Sequence, residues 1–232
     1  MKLQTLALIL FYLSTPIVWA NAQLYNFETY SVNEGLPQSQ VNTIYEDSRG
    51  YLWFGTAGGG VCQFDGINFT QFDEKQGLCG PIVTAVVEDN SGNLWIGATW
   101  GGISRFNGKK FQNYTRKNGL ISTSTTAILK DRNGNIFVGS NTGITIIDNN
   151  HEFSHLSKLQ GMSSGNVTCL SEAEDGGIWI GTDAGINIYK DGQVSTLGSA
   201  DGLPYDKVTC IAQDTLGNMW IGLERKGVVI LT

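Results

Sequence analysis

The chain of 232 residues lacks several features that define broad classes of protein. It has two histidines and four cysteines, and beyond residue 22 no apolar run approaches the roughly 18 residues that cross a bilayer. Basic residues are also few, 15 against 21 acidic ones, so the formal net charge is −6. Such an acidic chain lacks the basic surface that nucleic acids and anionic membranes attract, so we expect no nucleic-acid partner.

The first 22 residues are an exception to this lack of long apolar runs. MKLQTLALILFYLSTPIVWANA contains one lysine, a long apolar stretch, and small residues at Ala20 and Ala22. This pattern is typical of a secretory signal peptide with cleavage after Ala22. We therefore expect residues 23–232 to form one mature domain that is periplasmic or secreted. An uncleaved membrane anchor is the alternative.

A ten-residue pattern returns five times in the rest of the chain. Its copies are EDSRGYLWFG at 46–55, EDNSGNLWIG at 88–97, KDRNGNIFVG at 130–139, EAEDGGIWIG at 172–181 and QDTLGNMWIG at 213–222. The aromatic residue of each copy follows the previous one after 42, 42, 42 and 41 residues. A period of this length predicts a repeat architecture.

Each repeat divides into four short extended runs with no room left for a helix. The first run is β-branched, the second contains the aromatic residue, the third follows a glycine-rich turn, and the fourth has apolar residues three positions apart. Four antiparallel strands per repeat predict an all-β fold, the β-propeller. The predicted blades cover about 32–73, 74–115, 116–157, 158–199 and 200–232.

The repeated motif itself has a structural explanation. Four copies contain D-x-x-G, as in Asp47 to Gly50, which predicts a tight turn between the first two strands of a blade. The aromatic residue three positions later is expected to wedge between neighbouring blades. Acidic pairs such as Glu46 and Asp47 recur together with the turn. We therefore expect them to stabilise the turn and predict no catalytic residue.

The two ends of the chain predict how the ring is completed. In the complete repeats, the two apolar residues of the fourth strand lie eight and five residues before the glycine of the next Gly-Leu or Gly-Met pair. Phe27 and Tyr30 lie eight and five residues before Gly35 in the same way. Residues 24–31 are therefore predicted to be a fourth strand, and the last repeat, 200–232, supplies only three. One interpretation is a closed five-bladed propeller in which the N-terminal strand completes the last blade. The alternative is a fragment of a larger propeller with six to eight blades.

The four cysteines leave the disulfide state open. Cys169 and Cys210 occupy equivalent positions in two repeats where other repeats have threonine or alanine, which favours a packing role over a bridge. Cys62 and Cys79 have no such explanation, and a bridge between them stays open.

The repeat resembles a known family. The pattern of GL, V-x-x-I, D-x-x-G-x-LW-x-G and then a glycine with an apolar strand occurs in GLPQSQVNTIYEDSRGYLWFGTAGGGVCQF and GLPYDKVTCIAQDTLGNMWIGLERKGVVIL. It is similar to the two-component regulator propeller repeat, and the resemblance covers residues 24–232. The resemblance implies the extracytoplasmic sensor domain of a bacterial hybrid two-component sensor kinase, which binds a small ligand such as a glycan fragment.

The chain departs from that family in two respects. Five repeats are fewer than its sensors usually contain, and the sequence has no kinase or receiver segment. Signalling would therefore need a partner, for which a membrane sensor kinase is the candidate, or a further part of the same protein.

The ligand is expected on the propeller face formed by the turns between second and third strands and by the links between blades. Trp100, Tyr205, Glu224 and Arg225 have no counterpart in the other repeats, and Asp183 is a further acidic residue of these turns. These five are the candidate ligand-binding residues. An aromatic face beside charged groups suits a sugar ring or an anionic sugar. The alternative for each residue is an ordinary side chain in solvent.

Three function classes follow from these observations. A ligand-binding sensor without catalytic activity is favoured, a protein–protein interaction scaffold is second, and a propeller lyase or hydrolase is third. His151 and His155 lie on no common helix, so no metal site is predicted, and no cofactor is expected.

Overall fold

The structure is a computed structural model that describes residues 26–204 and 207–232. Nineteen strands fall in these ranges. They are β1 (Val41–Glu46), β2 (Leu52–Thr56), β3 (Val61–Phe64), β4 (Phe69–Phe72), β5 (Val83–Glu88), β6 (Leu94–Ala98), β7 (Gly102–Phe106), β8 (Phe111–Tyr114), β9 (Thr125–Lys130), β10 (Ile136–Ser140), β11 (Ile144–Ile147), β12 (Phe153–Leu156), β13 (Val167–Glu172), β14 (Ile178–Thr182), β15 (Gly185–Lys190), β16 (Gln193–Leu197), β17 (Val208–Gln213), β18 (Met219–Leu223) and β19 (Gly227–Leu231).

The strands form five antiparallel sheets, one for each repeat, which confirms the predicted all-β propeller architecture. Four sheets have four strands paired in chain order, and the fifth has the order β17-β18-β19. Short 3₁₀ turns precede four of the five Gly-Leu or Gly-Met pairs: Val32–Glu34, Arg116–Asn118, Lys158–Gln160 and Ser199–Asp201. The links between blades therefore contain no α-helix among the described residues.

The D-x-x-G motif forms the predicted turn. In the first blade the Asp47 carboxylate accepts hydrogen bonds from the backbone N–H groups of Arg49 and Tyr51 at 3.0 and 3.1 Å. Gly50 has φ +83°, a conformation that favours glycine. The second carboxylate oxygen of Asp47 accepts the indole N–H of Trp53 at 2.9 Å, so the motif links the turn to the aromatic residue.

In the first four blades the aromatic residue of the motif packs against the following blade, as predicted. Trp53 is fully buried and shares a cluster with Val83, Val86 and Ile96 of the second blade. The glycine near the end of each second strand permits this approach, because a Cβ added to Gly55 would come within 2.5 Å of Val83 Cγ1. The core of the molecule is therefore a series of interfaces between successive blades.

A side chain on the third strand holds the link in three of the blades. Ser104, Thr145 and Asn187 each accept the backbone N–H of the residue that follows the Gly-Leu or Gly-Met pair of their own repeat. In the first and last repeats that residue is proline, Pro37 or Pro204, which has no N–H to donate. The third strand there has Cys62 or Val229 instead of a hydrogen-bonding residue.

The five blades form an open arc, so closure of a five-bladed ring is not shown. From β1 to β17 every first strand packs against the first strand of the next blade, and no comparable contact joins β17 to β1 in the described part of the chain. Trp220, which packs on no following blade, is 43% exposed, whereas Trp53 is fully buried. The neighbour that would bury Trp220 is therefore absent from this arc.

The N-terminal segment does not complete the last blade. Residues 24 and 25 of the predicted strand lie outside the described residues, and residues 26–31 form no strand. The ring of Tyr30 instead packs at the edge of the first blade, with centroid distances of 5.2 Å to Phe64 and 5.7 Å to Phe69. Phe72 has the same relation to Phe106 in the second blade, at 5.2 Å. Tyr30 thus occupies the place of a preceding blade's fourth strand, at the opposite end of the arc from β19.

All four cysteines are free thiols in the structure. Burial raises the pKa of Cys62 to about 12 and that of Cys169 to about 11, so both stay protonated near neutral pH. The Cys169 sulfur lies 2.5 Å from where a Cβ of Gly181 would stand, which confirms a packing position. No helix within residues 26–204 and 207–232 is long and apolar enough to cross a membrane.

Candidate functional site

Each turn between a second and a third strand contributes two residues to the predicted ligand face. The second residue after the strand-ending glycine is Asn141, Asp183 or Glu224 in the last three repeats, and Ala57 or Thr99 in the first two. The third residue is Gly58, Trp100, Thr142, Ala184 or Arg225. Asp183 and Glu224 are therefore equivalent residues, and so are Trp100 and Arg225.

Trp100 lies at the tip of its turn in a conformation that tryptophan rarely adopts. Its φ is +64°, in the left-handed region, and its side chain is 79% exposed. The first blade has a glycine, Gly58, at this place, with φ +147°. Backbone strain of this kind costs of order 1–3 kcal/mol, which the surrounding turn must offset.

Asp183 is held by the link of its own blade. Its carboxylate accepts the side-chain N–H of Asn166 at 3.0 Å. Hydrogen bonds from Ser164 and Asn166 lower the pKa of Asp183, and the positive charge of Lys158 contributes in the same direction. Asp183 is therefore an anionic hydrogen-bond acceptor at neutral pH, fixed beside the link between the third and fourth blades.

Glu224 makes the equivalent contact in the last blade. Its carboxylate pairs with the Lys207 ammonium of the link, and this hydrogen bond lowers the pKa of Glu224. The Arg225 guanidinium lies 3.8 Å from the same carboxylate and its side chain is 77% exposed. Lys207 thus already pairs with Glu224, and Arg225 is the more accessible group.

Tyr205, the fifth predicted residue, lies outside the described residues. The four others lie on turns of the second, fourth and fifth blades: Trp100, Asp183, Glu224 and Arg225. All four are on the expected face, but they are spread around it and not gathered in one cavity.

A polar cavity of about 350 Å³ lies on this face between the third and fourth blades. It is lined by hydroxyl, amide and ammonium groups with one glycine: Asn141, Thr142, Ser157, Lys158, Ser164, Gly165 and Asn166. Through Asn166 it adjoins the Asp183 carboxylate. The cavity therefore offers hydrogen-bond donors and acceptors and the positive charge of Lys158, with the Asp183 carboxylate beside it.

Reasoning from the sequence identified the segments that line this cavity but not these side chains. The turn SNTG and the link MSSGN belong to the predicted ligand face, but the prediction of individual residues rests mainly on their having no counterpart in other repeats. The signal that could have found the cavity is the coincidence of polar residues in adjacent segments of two blades. Asn166 and Lys158 have Gln40 and Val32 as counterparts in the first repeat, so both positions vary between repeats.

The repeat profile described as "Two component regulator propeller" matches the chain five times. The matched residues are 35–58, 77–100, 119–142, 161–184 and 202–225, slightly more than half of the chain. The chain belongs to this family. No curated protein sequence matches it.

Solved structures with the same fold include an extracellular domain, a component of a secretion system and a lyase. The extracellular domain of a protein described as a hybrid two component system, from B. thetaiotaomicron, matches with TM-score 0.77 and 20% identity, over 89% of this chain and 29% of the other. PorZ, a surface component of the type-IX secretion system of Porphyromonas gingivalis, matches with TM-score 0.63 and 19% identity, over 84% and 32%. Virginiamycin B lyase from Staphylococcus aureus matches with TM-score 0.66 and 13% identity, over 85% and 71%.

These identities support a common fold and nothing finer. The chain spans less than a third of the length of the first of these structures. The match therefore does not show what this chain binds.

Proposed function

We propose that the chain is an exported, ligand-binding sensor propeller of a two-component signalling system. Its ligand is a glycan-derived or similarly hydroxyl-rich small molecule, and it has no catalytic activity of its own. The observation that carries this proposal is the polar cavity between the third and fourth blades. Family membership supports the sensor role, and a membrane sensor kinase is the partner that would transmit the signal.

The chemistry of the cavity fits sugar hydroxyls. The side chains of Asn141, Ser164 and Asn166 offer amide and hydroxyl groups, which can both donate and accept hydrogen bonds. The Asp183 carboxylate and the Lys158 ammonium add a strong acceptor and a strong donor. We expect specificity for such a ligand to come from the geometry of these hydrogen bonds.

Calorimetric titration of residues 23–232 tests this proposal, with short neutral oligosaccharides and uronic-acid oligosaccharides as probes. Asn166→Ala and Lys158→Ala are each expected to weaken binding about tenfold, the loss of roughly 1.4 kcal/mol that one good hydrogen bond supplies. Asn90→Ala is the matched control, because Asn90 is exposed on the opposite face and binds Lys130. The proposal would be contradicted if neither class of sugar binds. It would also be contradicted if Asn90→Ala weakens sugar binding as much as the two cavity variants do.

A protein-binding scaffold is the second candidate, and the Trp100 side chain favours it. A protruding aromatic residue in a constrained turn is the kind of side chain that dominates protein interfaces. Trp100→Ala separates the two functions. It should leave oligosaccharide affinity unchanged if sugars bind in the cavity alone. It should abolish capture of a protein partner if the chain is a protein-binding scaffold.

The same titrations test the enzyme alternative. A sensor returns its oligosaccharide unchanged, whereas a lyase or hydrolase returns shortened products. Chromatography of the sugar after prolonged incubation with the protein distinguishes these outcomes.

A further inference from the structure

The boundary between the second and third blades carries a charge that the repeat does not require. On the third strand, the residue paired with the aromatic residue of the motif is Arg105 in the second blade, opposite Trp95. The equivalent residues in the other blades are uncharged: Gln63, Ile146, Ile188 and Ile230. Both blades have a neighbour on each side, so this feature does not depend on where the arc begins or ends.

The Arg105 guanidinium lies against the protein without hydrogen bonds to it. Its Cζ is 5.6 Å from the centroid of the Trp95 ring, and its Nε is 3.4 Å from Asp89 Oδ2. This Nε is buried and has no hydrogen-bond partner, and neither terminal nitrogen makes a hydrogen bond to residues 26–204 or 207–232. Because buried polar groups are normally hydrogen-bonded, a guanidinium left in this way points to a partner from outside the chain.

Arginines at the two adjacent boundaries do have such partners. Arg49, in the turn that reaches toward the second blade, donates a hydrogen bond to Asp47 Oδ2 at 2.7 Å. Arg132, between the third and fourth blades, donates to Glu172 at 2.7 Å and to two backbone carbonyls at 2.6 and 2.7 Å. An arginine at a blade boundary can therefore be satisfied by the chain itself, and Arg105 is not.

A cavity of about 70 Å³ lies beside this guanidinium, on the face opposite the polar cavity. We call it the Arg105 cavity. Its lining includes Trp95, Arg105 and Asn90 from the second blade and Ile147, Asp148 and His151 from the third. A space of this volume corresponds to about two water molecules at their liquid volume, and a carboxylate group is of similar size.

A longer turn in the third blade brings His151 to this cavity. Five residues separate the paired residues Ile147 and Phe153, whereas four separate the corresponding pair in each of the other complete blades. His151 has φ +64°, and its ring centroid lies 6.5 Å from that of Trp95. The imidazole makes no hydrogen bond within the described part of the chain, so it is open to bind a ligand in the cavity.

The two carboxylates that line the cavity are already occupied. The Asp89 carboxylate accepts the indole N–H of Trp95 at 3.0 Å and two backbone N–H groups of its own turn at 2.9 Å. Asp148 accepts two backbone N–H groups of its turn at 2.8 Å. The ammonium of Lys130 binds Asn90 at 2.9 Å and adds a second positive charge beside the cavity. The guanidinium therefore remains as the main unsatisfied group.

We propose that the Arg105 cavity binds a small carboxylate anion, as a second ligand site on the face opposite the polar cavity. The planar guanidinium matches the two oxygens of a carboxylate and favours a bidentate pair. His151 supplies a further hydrogen bond, and Ile147 lies against the hydrocarbon part of the ligand. A phosphate is disfavoured, because its larger negative charge would face both Asp89 and Asp148. This inference does not depend on the proposed sugar ligand.

Proton–nitrogen correlation spectra of residues 23–232 test the proposal through the indole signals of the tryptophans. Titration with sodium formate or sodium acetate, with sodium chloride holding the ionic strength constant, should move the Trp95 signal to saturation. Trp53 is the internal control, because it makes the same indole hydrogen bond while Arg49 beside it is already paired. Its signal should not follow the titration. Inorganic phosphate should give no saturable shift of either signal.

Two substitutions test the roles of the side chains. Arg105→Ile gives the second blade the residue that the third has at this position, so the variant should fold. It should weaken formate binding at least about tenfold, because a charge-assisted bidentate pair is lost. His151→Gly suits the left-handed conformation and should weaken binding severalfold. Arg49→Ala is the matched control and should bind as the unsubstituted chain does.

Three results would overturn the proposal. If the Trp95 signal shows no saturable shift with either carboxylate, water alone fills the cavity. If the Trp53 and Trp95 signals move together, the shift is a general effect of salt. If Arg105→Ile binds as well as the unsubstituted chain, or if phosphate saturates the site in place of the carboxylates, the guanidinium does not select a carboxylate. Circular dichroism checks that each variant is folded.

Discussion

The interfaces inside the arc and its two end faces use the same motif in different surroundings. Trp53 and Trp220 each donate an indole N–H to the aspartate of their own turn, at 2.9 Å in both blades. Trp53 is fully buried by the next blade, whereas Trp220 is 43% exposed. The local hairpin is therefore specified within ten residues, and the burial of its aromatic residue depends on a neighbour about 40 residues away.

This comparison separates two sources of stability in a repeat fold. Each blade contributes its own turns and strand pairs, and each interface contributes apolar burial that exists only where two blades meet. An arc of five blades has four such interfaces, and substitutions at equivalent positions should differ in cost according to whether the interface is present.

The largest expected difference is between the two tryptophans. Trp53→Ala should cost roughly 3–5 kcal/mol of unfolding free energy, because it leaves a cavity between two blades. Trp220→Ala should cost less than about half of that, since the ring already faces solvent on one side. Urea denaturation followed by circular dichroism, at concentrations where the protein is monomeric, measures both. Equal losses of unfolding free energy would show that Trp220 is covered by a neighbour as Trp53 is covered by the second blade.

The pairing of the third strand with the link predicts a smaller, coupled effect. Ile121 donates its backbone N–H to Thr145 Oγ1 at 2.9 Å. Thr145→Val should cost about 1–3 kcal/mol by leaving that N–H without a partner. The double substitution Ile121→Pro/Thr145→Val reproduces the combination of Pro204 and Val229, so its cost should be less than the sum of the two single substitutions.

A double-mutant cycle from thermal or urea unfolding checks this coupling. Simple additivity would mean that proline in the link and the apolar residue in the third strand occur together without a physical connection.

The smallest expected effect is a pH dependence at the open end. The hydrogen bond from Trp220, with that from Asn218, lowers the pKa of Asp214 to about 2. Because this value is below that of the unfolded chain, about 3.9, the carboxylate stabilises the fold above pH 4 and loses this contribution as pH falls from 4 to 2. Asp214→Asn should therefore show a shallower fall in melting temperature in that window than the unsubstituted chain does. Identical pH profiles would show that the carboxylate does not stabilise the turn.

Much of the fold could be predicted from the sequence because it is encoded locally and repeated. The period of 42 residues, the turn at Asp47 and Gly50, and the interblade position of Trp53 were predicted correctly. Ring closure could not be predicted in the same way. Phe27 and Tyr30 have the correct spacing for a fourth strand, but spacing does not determine whether the last blade comes near enough to pair with it.

The candidate site was predicted less well for a physical reason. Trp100 and Arg225 stand out in the sequence because no other repeat has a similar residue, and the structure places both at exposed turn tips. The cavity is formed by polar residues of ordinary type from two blades, such as Asn141 and Asn166, that converge only when the blades pack. A convergence of this kind depends on the angle between blades, which no single segment encodes.

Hydrogen exchange of residues 23–232 at low protein concentration tests most directly the claim that the blades form an open arc. The account predicts strong protection of the amides in β6, β10 and β14, which lie between other blades, and weaker protection in β18 and β19. Equally strong protection of all five blades at every concentration would contradict the account, because it would mean that the ring is closed within one chain.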